Sequence, residues 1–199
     1  MIRNPFTRRG NPHLLAVSMT GVKMGDRVAF VGCPDGDRLA AVASRVGLSG
    51  RAVAVVPDEQ SASLARRSAE RAGILVELEV APPSKLPLED GSIDLAVVDD
   101  TAGLLGGMLA GQRPAAVHEL IRILRPGGRV IVFGAVPPVG VARLISRAPA
   151  EPPFAASGEA NTVLAAHGFG VVRTLAQREG LVFVEGIKQR GGSPAYPGS

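Results

Sequence analysis

Two short stretches carry the side chains best suited to chemistry. In Val98-Asp99-Asp100-Thr101, adjacent carboxylates end a run of apolar residues. Two such groups could supply a general base, one raising the pKa of the other. Equally, Asp100 or Thr101 could cap a following helix while Asp99 is solvated. In Gly32-Cys33-Pro34-Asp35-Gly36, two glycines frame a turn whose backbone could approach a ligand closely. Cys33 there is either a nucleophile at a helix N-terminus or a buried, inert thiol. Pro34 fixes its own φ, lacks an N–H and restricts Cys33 before it. Asp35 and Asp37 suit helix capping, which works against anion binding at the same helix end. Asp58, after Pro57, reads as another helix N-cap or as a ligand-binding carboxylate. His13, His118 and His167 are scattered. None stands with Cys, Asp or Glu at metal-ligand spacing, so no metal site is expected. No Ser/His/Asp arrangement can be inferred.

The elements that would position these groups alternate along the chain. Residues 1–20 form an N-terminal lead, irregular to residue 12 and helical over Leu14–Thr20. Apolar strands are expected at Arg27–Val31, Ala52–Val56, Leu75–Val80, Ile93–Val98 and Arg129–Phe133. Helices are expected at Asp37–Val46, Asp58–Ala72, Pro114–Leu124 and Asn161–His167, each with an apolar stripe at three-to-four spacing or a glycine stop. His118 falls on the solvent side of its helix, and His167 beside a helix C-terminus. The Gly-rich 101–111 stretch is weakly helical at best, and "RPGG" stops the helix before it. Phe169–Thr174 and Leu181–Ile187 read as an antiparallel pair across a polar loop. Residues 189–199 read as a disordered tail after one domain spanning 21–188. Apolar strands alternating with helices call for an α/β, doubly wound, mostly parallel sheet covered on both faces. Ligands of such sheets sit at the carboxyl ends of the strands, where Gly32, Asp58, Asp99 and Asp100 fall.

Composition narrows the function class. The 199 residues allow one domain with a sizeable core, aliphatic because only 4% are aromatic. A net charge of +4 pulls weakly toward anionic partners, but no dense Lys/Arg run with aromatics points to nucleic acid. The single cysteine excludes an internal disulfide and fits a cytoplasmic setting. No apolar run is long enough for a transmembrane helix, and the N-terminus lacks the apolar core of a signal peptide.

Four motifs in fixed order resemble the class I S-adenosylmethionine-dependent methyltransferases of the small bacterial type. "MGDRVAFVGCPDG" stands where that family has its "VLDVGCGTG" loop. "LPLEDGSIDLAVVDD" is similar to "LPFPDGSFDLVV". "HELIRILRPGGRVIVFG" is similar to the helix, turn and fifth strand, and "LAAHGFGVV" to the family's C-terminal "L..AGF.VV". The resemblance implies a seven-stranded, Rossmann-like sheet with its last strand antiparallel. It also implies a cofactor, S-adenosylmethionine, held by Gly32, Cys33, Gly36, Asp58 and Asp99 if the site is retained.

The resemblance also shows what is replaced. The first-strand acid is Phe30, the middle loop glycine is Pro34, and the ribose-binding acid is Val56, with Asp58 two residues on. The adenine-contacting acid after the third strand is Pro82. The expectation is a methyltransferase-like protein with a degenerate active site, a pseudoenzyme with a binding or scaffold role and weak or absent cofactor binding. The alternative is an active methyltransferase with an atypical pocket, in which Asp99 and Asp100 are the candidate catalytic residues. A pocket for a more apolar ligand, lined by Phe30, Val56 and Pro82, is a variant of the first. "PPVGVARLISRAPAEPPF" is a candidate contact segment for a protein partner or a larger substrate, or an ordinary surface loop.

Overall fold

The computed structural model describes residues 13–136 and 154–190. The expected tail beyond Arg190, the irregular start and most of the proposed contact segment lie outside these residues. The chain runs α1 (Leu14–Thr20), β1 (Arg27–Val31), α2 (Gly36–Ala43), β2 (Arg51–Val56), α3 (Glu59–Ala72), β3 (Glu77–Val80), β4 (Ile93–Asp99), α4 (Arg113–Ile123), β5 (Leu124–Ala135), α5 (Glu159–Ala166), β6 (Phe169–Arg178) and β7 (Leu181–Lys188).

The strands form one seven-stranded sheet in the order β3-β2-β1-β4-β5-β7-β6. β7 is antiparallel to both β5 and β6, and the other pairings are parallel. Period-two alternation assigns each apolar run to two faces. Ala29, Val31, Val53, Val55, Ala96 and Val98 face the helices α4 and α5. Val28, Phe30, Ala54, Val56, Leu95 and Val97 face α1, α2 and α3. That is why the central strands read as unbroken apolar runs: both sides of each are core. Among the described residues, no helix is long and apolar enough to cross a membrane.

Several boundaries depart from the sequence reading. α2 starts a residue earlier and ends at Ala43. β3 begins at Glu77, so Leu75 stays outside the sheet, and the strand is an exposed edge. "RPGG" does not separate helix from strand. Leu124 is already extended, and a register shift between Ile93 and Leu95 absorbs the extra residues within β5. No helix follows Thr101; residues 101–112 fold as turns. The loop between the last two strands is only Glu179-Gly180, with φ of 53° and 73°. Two positive φ values in a two-residue connection match the twist of a hairpin.

Candidate functional site

The carboxyl ends of β1, β2 and β4 meet where the topology reverses, between β1 and β4. Gly32 leaves β1 with φ of 80°, its N–H donating to the Val55 carbonyl at 2.9 Å. A Cβ on Gly32 would lie 2.9 Å from Leu104 Cδ2 and 3.0 Å from the Asp99 carbonyl oxygen. The backbone is therefore covered by Leu104 from the Gly-rich turns. Gly36 has a different reason to be glycine. Its Cβ would lie 2.5 Å from Ser68 Oγ and 3.0 Å from the Leu64 carbonyl oxygen, so it sets the approach of α2 to α3.

Asp35 is the N-cap of α2 and accepts from the N–H groups of Asp37 and Arg38, at 3.1 and 3.2 Å. Burial opposes its charge. The Arg38 backbone bond and guanidinium outweigh that and hold its pKa below the usual range. Asp37 joins α2 to α3 by accepting from Arg71 at 2.6 Å and Ser68 at 3.0 Å. Both are structural carboxylates. His13 lies 3.8 Å from Asp35, at the edge of a hollow of about 230 Å³ that also meets Arg38 and Glu179.

Arg38 sits at the centre of the mouth. Its guanidinium donates to Asp35 at 3.2 Å, reaches Asp99 at 3.4 Å and lies over the Phe133 ring at 5.3 Å. Asp99 is 7% exposed rather than solvated. It accepts from the Thr101 N–H at 3.1 Å and the Thr101 hydroxyl at 2.5 Å. Phe30, Cys33, Arg38, Asp99 and Phe133 enclose only about 10 Å³ of open space.

Asp99 and Asp100 do not share a face. Asp100, 1% exposed, turns to the α4 side and accepts from Leu105 and Gly106 N–H at 2.6 and 3.1 Å. Its Oδ2 is buried without a partner among the described residues. Arg113 secures the same turns, donating to the Leu105 and Gly106 carbonyls at 3.0 and 2.9 Å, pairing with Glu159 and lying over Phe154. The pair thus holds a loop in place, Asp100 through N–H groups and Arg113 through carbonyls. Burial, more than mutual repulsion, pushes both Asp99 and Asp100 above the usual carboxylate range.

The remaining candidates divide as follows. Phe30 and Val56 are packed in the core on the α1–α3 face. Asp58 accepts from the Ser61 N–H at 2.7 Å as the N-cap of α3. Pro82 is exposed, just beyond the Ala81 N–H that donates to the Val56 carbonyl at 3.0 Å. Cys33 is buried, and desolvation pushes its thiol up to about 12, which keeps it protonated. The histidines are not all scattered, because His118 Nε2 and His167 Nδ1 lie 3.3 Å apart, far from the mouth on α4 and the α5 cap. No group of three metal-ligating side chains exists among the described residues.

Sequence reasoning missed Arg38, Leu104 and Arg113. Arg38 alone left a local signal, since it stands three residues after the Asp35 cap on one helix face. The other two act through contacts that only the fold creates.

A family model described as a methyltransferase domain matches residues 30–132. An uncharacterized 37.1 kDa protein in transposon TN4556 of Streptomyces fradiae is 36% identical over 109 residues, 54% of this chain and 30% of that protein. The ubiquinone/menaquinone biosynthesis C-methyltransferase UbiE of Hydrogenovibrio crunogenus is 27% identical over 120 residues, 59% of this chain and 45% of that enzyme. The chain thus spans a third to a half of the length of these curated relatives. A SAM-dependent methyltransferase from Aquifex aeolicus has the same fold, with a TM-score of 0.70, 20% identity and 89% of each chain covered. The strand order, the antiparallel β7 and a family match running from the end of β1 into β5 agree, and the chain belongs to the class I S-adenosylmethionine-dependent methyltransferase family.

Proposed function

We propose that this chain keeps the class I frame as a pseudoenzyme, binds S-adenosylmethionine weakly or not at all, and acts as a binding or scaffold subunit for a protein partner or large substrate. One observation carries the reading. At the ends of β1 and β2, where the family's carboxylates face the cofactor, Phe30 and Val56 are packed in the core. The nearby carboxylates have other partners: Asp58 holds Ser61, Asp35 caps α2, and Asp99 holds Thr101 beside Arg38. The residues present do not fit the cofactor, and Leu104 lies over Gly32, where the backbone would have to be open.

The magnitude is appreciable. Unpaired ribose hydroxyls in a buried site cost about 1–3 kcal/mol, and a lost charge-assisted contact to the ammonium adds a similar amount. At 1.4 kcal/mol per tenfold, together they move a micromolar affinity to about millimolar. The single buried thiol is consistent with a cytoplasmic setting.

A second reading rests on the Arg38–Asp99 pair, spaced at 3.4 Å. A cation beside a carboxylate suits a zwitterionic amino-acid group, and methyl transfer needs positioning more than a catalytic side chain. In that reading the site binds the cofactor through different residues.

Thermal shift separates the two. Near 1 mM S-adenosylhomocysteine or S-adenosylmethionine, a micromolar site adds about 4 kcal/mol, a shift of roughly 8–16 °C, whereas a millimolar site gives about 1 °C. The proposal expects the small shift. A large one with either ligand overturns it.

A further inference from the structure

The three most exposed large hydrophobic side chains among the described residues are Leu48, Leu75 and Met24, at 98%, 86% and 79%. They belong to three different connections, yet they gather at the amino end of the sheet, opposite the candidate site. Leu48 and Leu75 rim a hollow of about 460 Å³ whose walls include Val46, Ile74 and Val76. Met24 adjoins it, its Cγ lying 3.3 Å from where a Cβ on Gly47 would stand.

The projections are held firmly. Gly25 N–H donates to the Val46 carbonyl at 2.9 Å, and Arg51 N–H to the Asp26 carbonyl at 3.1 Å. A Cβ on Gly50 would lie 2.5 Å from both the Asp26 carbonyl oxygen and Val46 Cγ1, so the turn bearing Leu48 is packed against its neighbour without slack. Exposed apolar groups on an ordered turn lose little entropy on docking, and clustering of this kind marks an interaction surface.

We propose that this patch is the interface of a two-fold dimer of the chain. A single patch carries both projection and recess, Leu48 and Leu75 beside the hollow they rim. That is what an isologous contact requires, since each copy must offer the surface that the other fills. The charge supports a second copy over a strongly charged partner. The rim's Arg51 and Glu77 already pair at 2.9 and 2.6 Å, giving no net sign, and a two-fold axis can set each against its opposite across the interface. Three side chains and a recess bury on the order of 1,000 Å² in total, at the low end of specific interfaces and in the size class of weak, transient contacts.

Sedimentation equilibrium of the full chain from about 1 to 300 µM reads this directly. The expected result is a monomer–dimer equilibrium in that range. Leu48→Glu with Leu75→Glu weakens it at least tenfold, with circular dichroism and the thermal midpoint of the dilute monomer unchanged because both side chains are solvent-exposed. Leu109→Glu, also exposed but on the other end of the sheet, leaves it unchanged. A monomer throughout overturns the proposal, even one that binds a small apolar dye. So does dimerisation that survives the double substitution, or that Leu109→Glu disrupts equally.

Discussion

Replacing Gly36 with alanine separates the two reasons a loop glycine can be present. If it serves a ligand, the substitution leaves stability alone and harms only binding. If it serves packing, the protein is destabilised with no ligand present. Gly36 is not among the positive-φ residues and begins α2, so backbone propensity alone favours alanine, by up to about 1 kcal/mol. The added Cβ, however, would lie 2.5 Å from Ser68 Oγ, 2.9 Å from Ser68 Cβ and 3.0 Å from the Leu64 carbonyl oxygen. Comfortable heavy-atom contact is about 3.5–4.0 Å, so α3 must retreat by roughly 0.5–1 Å. Ser68 is buried and bonded to Asp37 at 3.0 Å, and the carbonyl belongs to the helix backbone, so neither can turn aside. Overpacking of this kind costs about 1–3 kcal/mol. The net expectation is a loss of about 1–2 kcal/mol, or roughly 2–8 °C in thermal midpoint for a chain of this size. Differential scanning calorimetry reads the change. Gly111→Ala is the control, because nothing lies near its Cβ and it lacks a positive φ. Ser68→Gly should cost less in the Gly36→Ala background than in the wild type, a coupling expected only for groups in contact. A Gly36→Ala midpoint equal to or above wild type would refute the packing argument.

Three further outcomes follow from the same contacts. Cys33, with its thiol pushed up to about 12, should ignore a thiol reagent at neutral pH until the protein unfolds; rapid modification of the folded chain would contradict its burial. Asp94 accepts from the Arg27 backbone at 2.8 Å and from the guanidiniums of Arg27 and Arg125, which hold its pKa well below the usual range despite burial. Asp94→Asn should therefore cost about 1–3 kcal/mol at neutral pH, in urea denaturation, and progressively less as acid protonates the wild-type carboxylate. Asp99 and Asp100 have the opposite sign: raised in the fold, they bind protons more tightly there than in the unfolded chain. Their contribution makes stability rise as pH falls toward the ordinary carboxylate range of about 4, where it meets the opposing loss from Asp94, Asp35 and Glu119, whose pKa values lie below that range. Asp100→Asn should flatten that rise, and a pH scan in which wild type and variant run parallel would refute the assignment.

The frame was legible because its signals are local. Buried parallel strands are unbroken apolar runs, and Asp35, Asp58 and Gly73 mark helix ends by chemistry that needs no tertiary partner. Misreadings arose where tertiary structure decided. Leu75 and Val76 look like the start of a strand, but the strand begins at Glu77 and Leu75 projects to solvent beside the hollow. Pro126, Gly127 and Gly128 look like a helix stop followed by a turn, yet a register shift carries them inside β5. The divergence of Asp99 and Asp100 follows from the period of two at the end of β4 and was open to sequence reasoning. Their burial was not, since it depends on Arg38 from α2 and on the 101–112 turns held by Arg113. Likewise, Phe30 and Val56 marked the replaced carboxylates by position alone, whereas the Leu104 contact over Gly32 required the fold.

Isothermal titration calorimetry of the full chain with S-adenosylmethionine and S-adenosylhomocysteine tests the central claim, that a class I frame survives around an impaired cofactor site. With core residues at both carboxylate positions, the account predicts no saturable heat below about millimolar ligand. Saturable binding of either ligand with a micromolar Kd would contradict it.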